Sequence, residues 1–253
     1  MSLDPVIISM TLEAESDGAV AKRRGKQVRP LKGLRGVAPG EVARQAAAAW
    51  RRGVDLDQDE DALHDLFCTA HEDGMLALSL TAAGVQRWPD VALGLAERWL
   101  EMVDDLETAD ALGWLVWAPA LRAVGEPVGQ TLAKTIRASG QPVVRRAALM
   151  GGMALTSTRV EGPAAAALRE SWGGDKRGLG DGTGAEDLAE VASAAMKDTS
   201  PHVRKALGRL LRCWAHDDPE AVVRLVESVR GGVPKQLRAE VERGVRKGRR
   251  KRS

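Results

Sequence analysis

One short pattern occurs twice in this chain and constrains its fold more than any other feature. The stretches "PVVRRAAL" at 142–149 and "PHVRKALGRLLRCW" at 201–214 both begin with Pro, any residue, Val, Arg, a second basic residue and Ala. Proline is favoured in the first turn of a helix, and helix-forming residues follow it in both stretches. The recurrence therefore predicts an internal repeat built from helices.

Helix signals also dominate the rest of the chain, while alternating strand patterns are nearly absent. Pro, Gly and Asp divide it into about a dozen short segments with helical patterning. We therefore predict an all-α fold. The repeat further predicts an α-solenoid of HEAT-like helical repeats, in which each helix pair packs on its neighbours. A helical bundle without repeats is the alternative.

The distribution of turns and charges predicts three parts. Residues 1–27 form an N-terminal segment that is partly flexible and basic, 28–247 form the HEAT-like domain, and 248–253 form a basic tail. The domain contains a Gly-rich insertion at 170–184. Its "GLGDGTG" superficially resembles a phosphate loop, but no strand precedes it and no Lys-Ser/Thr pair follows. A surface insertion is therefore favoured.

Cysteine content and hydropathy indicate the compartment. The chain has 253 residues, of which two are cysteines, too few for a disulfide framework and in keeping with a reducing cytoplasm. The N-terminus "MSLDPVIISMTLEAE" lacks the basic start of a signal peptide. No apolar run approaches the roughly 20 residues that span a bilayer. We expect a soluble cytoplasmic protein with no membrane partner that functions as a monomer.

Positive charge is concentrated at the two ends, although the net charge is only +2. Seven basic and no acidic residues lie between Lys22 and Arg35, and the last eleven residues contain seven more basic ones. Basic ends of this kind either follow nucleic-acid phosphates as arms or act as solvated tails. The sequence leaves both open.

The helix predicted for 201–214 has two distinct faces. One is a basic ridge, because Lys205, Arg209 and Arg212 are spaced i, i+4 and i+7, and the stretch contains no Asp or Glu. Arg146 occupies the position of Lys205 in the earlier repeat. Stacked repeats would thus form a concave positive surface suited to duplex phosphates, unless the basic face is merely solvated. The other face is an apolar stripe, predicted to be buried: Val203, Leu207, Leu210, Leu211 and Trp214.

One carboxylate stands out in "VDDLETADALGWLVWAP" at 103–119. Asp105 is placed to cap a helix N-terminus, and Glu107 lies in its first turn. Asp110 lies a turn further on and is not explained by capping. It is therefore a candidate functional group, or else a surface acid or one half of an interhelical ion pair.

Four segments together resemble the DNA alkylation repair family of HEAT-repeat DNA glycosylases, the AlkD-like proteins, over residues 28–247. They are "LKGLRGVAPGEVARQAA", "WLEMVDDLETADALG", "VVRRAAL" and "VRKALGRLLRCWAHDDPEAVVRLV". The resemblance implies that Asp110 is the catalytic aspartate and that Arg146 contacts DNA. It also implies that Lys205 and Arg212 belong to the DNA-binding face, together with their neighbour Arg209.

The resemblance implies a nucleoid-associated enzyme that removes N3- or N7-alkylated purines from duplex DNA. These bases are positively charged and leave readily, so Asp110 would stabilise the oxocarbenium-like sugar. We expect neither a metal nor another cofactor. The alternative is a non-catalytic HEAT-like module that binds nucleic acid or protein.

The chain departs from the family pattern at two positions. Leu106 and Arg209 stand where the family usually has tryptophans that pack against the DNA backbone. Trp114 is the candidate DNA contact in their place, with Trp117 and Trp214 as weaker candidates, because tryptophans at helical spacing are more often core.

One further stretch contains potential metal ligands. His64, Cys68 and His71 lie at i, i+4 and i+7 of one predicted helix. Three ligands on successive turns of a straight helix do not easily surround one ion, and no fourth ligand is evident. We therefore expect no metal to bind there.

Overall fold

The computed structural model describes residues 3–25, 30, 32–156, 184–229 and 232–252. These residues fold into helices without a strand, which confirms the predicted all-α class. The helices are α1 Pro5–Ala14, α2 Gly18–Arg24, α3 Pro39–Arg51, α4 Glu60–Thr69, α5 His71–Gly84, α6 Pro89–Leu100, α7 Leu106–Ala111, a π-helical segment Leu112–Trp117, α8 Ala118–Ala123, α9 Val128–Ala138, α10 Pro142–Met153, α11 Ala185–Ala195, α12 Pro201–Asp217, α13 Pro219–Ser228 and α14 Lys235–Arg252.

Most helix starts follow the local sequence signals. Six of the described helices begin at a proline, including the two repeated ones, α10 and α12. The predicted cap is also present, since Asp105 accepts hydrogen bonds from the backbone N–H groups of Glu107 and Thr108. Within the described residues, no helix has both the length and the apolar character needed to cross a membrane.

The helices pack in two rows. The inner row is α3, α5, α7 with the π-helical segment, α10, α12 and α14, and each member packs on the next. The outer row is α4, α6, α8, α9, α11 and α13, again with successive contacts. α12 and α14 run parallel, because Gly208 lies beside Glu240 while Gly248 lies beside the carbonyl of His216. Stacking of this kind is consistent with the predicted solenoid.

The apolar stripe predicted for α12 is buried throughout. Trp214 is 2% exposed, and the four aliphatic residues of the stripe are fully buried. Burying an aliphatic side chain of this size contributes about 1.5–3 kcal/mol, so the stripe fixes which face of α12 turns to the core. The opposite face is left to the basic residues.

The N-terminal segment contributes two helices, α1 and α2, each capped by an aspartate, Asp4 and Asp17. Two members of the basic run bind carboxylates inside the protein. Arg24 donates to Glu107 at 2.9 Å, and Arg35 donates to Asp73 at 2.6 Å. Neither alternative, a phosphate-binding arm or a solvated tail, therefore describes these two residues.

Two other predictions fall partly or wholly outside the described residues. The insertion at 170–184 is described only at Gly184, and the side chains of the tail at 248–253 only at Gly248. Nothing in the structure therefore tests them.

The helix predicted to carry His64, Cys68 and His71 is in fact two helices. α4 ends at Thr69, Ala70 is extended, and His71 begins α5. The assumption of one continuous helix was wrong, because the chain reverses at Ala70. Within the described part of the chain, no group of three or more His, Cys, Asp or Glu side chains could hold a metal ion.

Candidate functional site

A cleft of about 340 Å³ opens across four consecutive inner helices, α7, α10, α12 and α14. The five residues predicted as catalytic or DNA-binding from the sequence all line it. The full lining is Asp110, Arg146, Arg204, Lys205, Gly208, Arg209, Arg212, Gln236, Leu237 and Glu240.

Asp110 and Arg146 form a two-pronged ion pair between α7 and α10. Arg146 Nε donates to Asp110 Oδ1 at 2.6 Å, and Nη2 donates to Oδ2 at 2.7 Å. Arg146 Nη1 also donates to the carbonyl oxygen of His202 at 3.0 Å, so this buried guanidinium connects three helices. The carboxylate thus both faces the groove and belongs to an interhelical ion pair, two alternatives that the sequence had set against each other.

The ion pair with Arg146 leaves some of the hydrogen-bond acceptor capacity of the Asp110 carboxylate free. Two carboxylate oxygens offer about four acceptor positions, and Arg146 occupies two of them. The Asp110 side chain keeps 21% of its surface exposed, whereas that of Arg146 keeps 8%. Arg146 therefore fixes the orientation of the carboxylate and leaves part of it open to the cleft.

The basic ridge of α12 has acidic partners on neighbouring helices, which its own sequence did not show. Arg209 Nη1 lies 3.8 Å from Asp110 Oδ2, and Arg212 Nη1 lies 3.4 Å from Glu240 Oε2. The absence of Asp and Glu from the α12 stretch therefore does not leave the ridge without acidic partners. Lys205 is exposed and makes no ion pair with any described residue.

Trp114, the candidate DNA contact, lies in the core at 4% exposure. The guanidinium of Arg209 lies over its ring, 5.2 Å from the centroid, in a cation–π arrangement. The indole thus offers little surface to a DNA backbone, and it supports Arg209 instead. Trp117 and Trp214 are buried as well, at 3% and 2% exposure.

Close helix packing brings Asp110 within reach of Arg146. Gly113 lies in the π-helical segment that follows α7, and a Cβ added there would overlap the carbonyl oxygen of Ala147 on α10. Only glycine permits this approach. π-Helical segments are rare overall but occur often at functional sites. This one directly follows the helix that carries Asp110.

Each repeat contains a pair of adjacent basic residues, Arg145–Arg146 in α10 and Arg204–Lys205 in α12, and the two pairs have matching roles. Arg145 and Arg204, the first bases of each pair, both bind Asp198, the former through its carboxylate at 2.6 Å and the latter through its carbonyl at 2.8 Å. The second bases, Arg146 and Lys205, both line the cleft. Sequence reasoning missed Asp198, and its position before the Ser-Pro start of α12 was the available signal.

A second polar cluster, outside the cleft lining, lies at the starts of α5 and α7. The His71 side chain is fully buried, with Nδ1 lying 3.2 Å from Asp105 Oδ2 and Nε2 lying 3.5 Å from Glu107 Oε2. Burial alone would lower the pKa of His71, but the hydrogen bonds and charges of Asp105 and Glu107 raise it to about 9. Burial would likewise raise the pKa of Asp105 and of Glu107, but contact with His71 lowers both.

These shifts predict a pH optimum of stability. A raised histidine pKa adds stability that is complete below the ordinary value of 6.5 and is lost as pH rises through about 9. The two lowered carboxyl pKa values add stability that is lost in acid. We expect the free energy of unfolding to fall by about 1–3 kcal/mol between pH 6.5 and 9. Urea titrations should show this loss for the wild-type protein and a flatter profile for His71→Gln. An equal loss in both proteins would contradict the assignment.

Comparison with known proteins places the chain in a family. Neither a curated protein nor a solved structure matches it. A family model described as DNA alkylation repair enzyme matches residues 8–241, which include every residue that lines the cleft. The match confirms the family seen in the sequence motifs and begins within α1. The chain therefore belongs to the DNA alkylation repair enzyme family.

Proposed function

We propose that the protein is a monofunctional DNA glycosylase that excises N3- or N7-alkylated purines from duplex DNA. One observation carries the proposal. A partly exposed carboxylate, Asp110, is held in a fixed orientation within a cleft otherwise lined mainly by basic side chains. Basic groups suit the phosphates on either side of a lesion, and the carboxylate suits the positive charge that develops on the sugar.

The proposed reaction needs little help from an acid. When the C1′–N9 bond breaks, its electron pair stays with the alkylated purine, which leaves as a neutral base. The sugar then carries oxocarbenium-like charge until water adds at C1′ and releases a proton. The acceptor positions that Arg146 leaves free on Asp110 can face that charge and orient the water.

The basic residues have a separate role in this proposal. Lys205, Arg209 and Arg212 bind backbone phosphates, and Arg146 positions the catalytic carboxylate. We further propose that the two helix rows form a HEAT-like α-solenoid whose inner row follows the duplex, and that the protein acts as a monomer on nucleoid DNA in the cytoplasm.

The proposal is tested by release of free base from a duplex that contains a single 7-methylguanine. We expect the wild-type protein to release the base and leave an abasic site that alkali cleaves. A duplex with unmodified guanine at the same position is the control and should stay intact. No release from 7-methylguanine or 3-methyladenine duplexes would refute the glycosylase.

Lys205 should contribute one phosphate contact. We expect Lys205→Gln to weaken binding to duplex DNA and to reduce the slope of log K against log salt by about 0.9, because one fewer counterion is released. Fluorescence anisotropy over a salt series measures the slope. Lys197→Gln removes an exposed lysine outside the cleft and should leave it unchanged. Equal slopes for the wild-type protein and Lys205→Gln would contradict the contact.

A second function is favoured by the Asp110–Arg146 ion pair itself. An acid bound by two hydrogen bonds to a buried guanidinium also suits a purely structural tie. The protein would then be a non-catalytic module that binds DNA. Salt-dependent duplex binding by the wild-type protein without base release would establish this alternative.

A further inference from the structure

A basic surface continues along α14 beyond the cleft. Gln236 and Glu240 line the cleft, and Arg243 and Lys247 follow them at helical spacings of three and four. At 100° per residue, these four side chains form one stripe along the helix. The stripe therefore runs out of the cleft along the same side of α14.

Packing against α12 fixes which side of α14 this is. Val241 is buried at 6% exposure, and a Cβ added at Gly244 would overlap the carbonyl oxygen of Arg212. A Cβ added at Gly248 would likewise crowd the carbonyl oxygen of His216. These positions are about 100° away from the stripe. Arg243, with 55% of its side chain exposed, and Lys247, also exposed, therefore lie beside the packed face and on the cleft side.

Positive charge on this stripe is only partly balanced. Glu240 Oε1 lies 2.8 Å from Arg243 Nη1, and Glu240 Oε2 lies 3.4 Å from Arg212 Nη1, so one carboxylate pairs with two guanidinium groups. Lys247 makes no ion pair with a described residue. From Glu240 to Lys247 the helix advances about 10 Å, the axial distance over which one DNA strand presents about three phosphates.

These two bases lie outside the part of the chain that the family describes, because the match ends at residue 241. We propose that Arg243 and Lys247 form a phosphate-binding strip on α14 that holds the duplex beyond the base-excision cleft. The proposal rests on duplex DNA as the ligand of the cleft, and it adds a contact that neither the family match nor the cleft contains.

The test compares two double variants on an undamaged duplex. Arg243→Gln/Lys247→Gln should reduce the slope of log K against log salt by about 1.8 and weaken binding about tenfold near 0.1 M salt. The control is Arg137→Gln/Arg224→Gln, which removes the same charge from the outer-row helices α9 and α13. Those arginines are exposed, at 56% and 71%, and each is paired with a glutamate, as Arg243 is. The control should keep the wild-type slope.

Two results would overturn the strip. One is an unchanged slope in Arg243→Gln/Lys247→Gln, and the other is an equal decrease in both double variants, which would reflect net charge alone. Circular dichroism melts of each variant establish that it is folded. Because no base is released from undamaged duplex, this test is independent of the glycosylase. A reduced slope specific to the strip variant would support the strip even if 7-methylguanine duplexes yield no free base.

Discussion

Replacing Asp110 with asparagine should abolish base excision without weakening DNA binding. The change keeps the shape of the side chain and removes the charge proposed to stabilise the sugar, so we expect single-turnover release of 7-methylguanine to fall about 100-fold or more. The same change removes a negative charge from a basic cleft. The affinity for duplex DNA should therefore stay equal or rise, and anisotropy measures it alongside base release.

A matched control separates chemistry from the loss of an ion pair. Asp198 binds Arg145 through both carboxylate oxygens, at 2.6 and 3.4 Å, and lies outside the cleft lining. Asp198→Asn therefore removes a similar ion pair, between α10 and the loop that precedes α12, and we expect it to keep most of the base release. Equal losses in the two variants would mean that Asp110 acts only through helix packing. Full activity in Asp110→Asn would refute its catalytic role.

Substituting Gly113 with alanine should have the second large effect. The added methyl would overlap the Ala147 carbonyl and force α7 and α10 apart, at a cost of about 1–3 kcal/mol in the free energy of unfolding. Asp110 lies one turn earlier, so separation should also loosen its pair with Arg146 and lower base release. Urea unfolding and the base-release assay measure the two effects.

Gly94 provides the control for this substitution. It lies within α6, and a Cβ added there would meet nothing within 4 Å. Alanine in an unobstructed helical position adds about 0.5–1 kcal/mol of stability relative to glycine. Gly94→Ala should therefore stabilise the protein while Gly113→Ala destabilises it. The same sign in both variants would contradict the close approach of α10 to the π-helical segment.

The positions of the helices could be predicted from the sequence because their signals act over a few residues. Proline in the first turn begins α10 and α12, Asp105 caps α7, and the apolar spacing identifies the buried face of α12. The repeat and the family motifs also identified five of the residues that line the cleft, but not those contributed by α14. Each of these patterns lies within a single segment, so it can be recognised without knowing how the segments pack.

Charge pairing was decided only by the tertiary structure. Arg146 pairs with Asp110, which lies 36 residues away in the sequence, and Glu240 on α14 pairs with Arg212 of the basic ridge on α12. Arg24 looked like part of a phosphate-binding arm and instead binds Glu107, 83 residues away. The physical reason is that opposite charges attract over a few ångströms, whatever their separation along the chain. The partner of each charged side chain is therefore set by how closely the helices approach one another, as they do at Gly113. The helical pattern of a single segment does not contain this information.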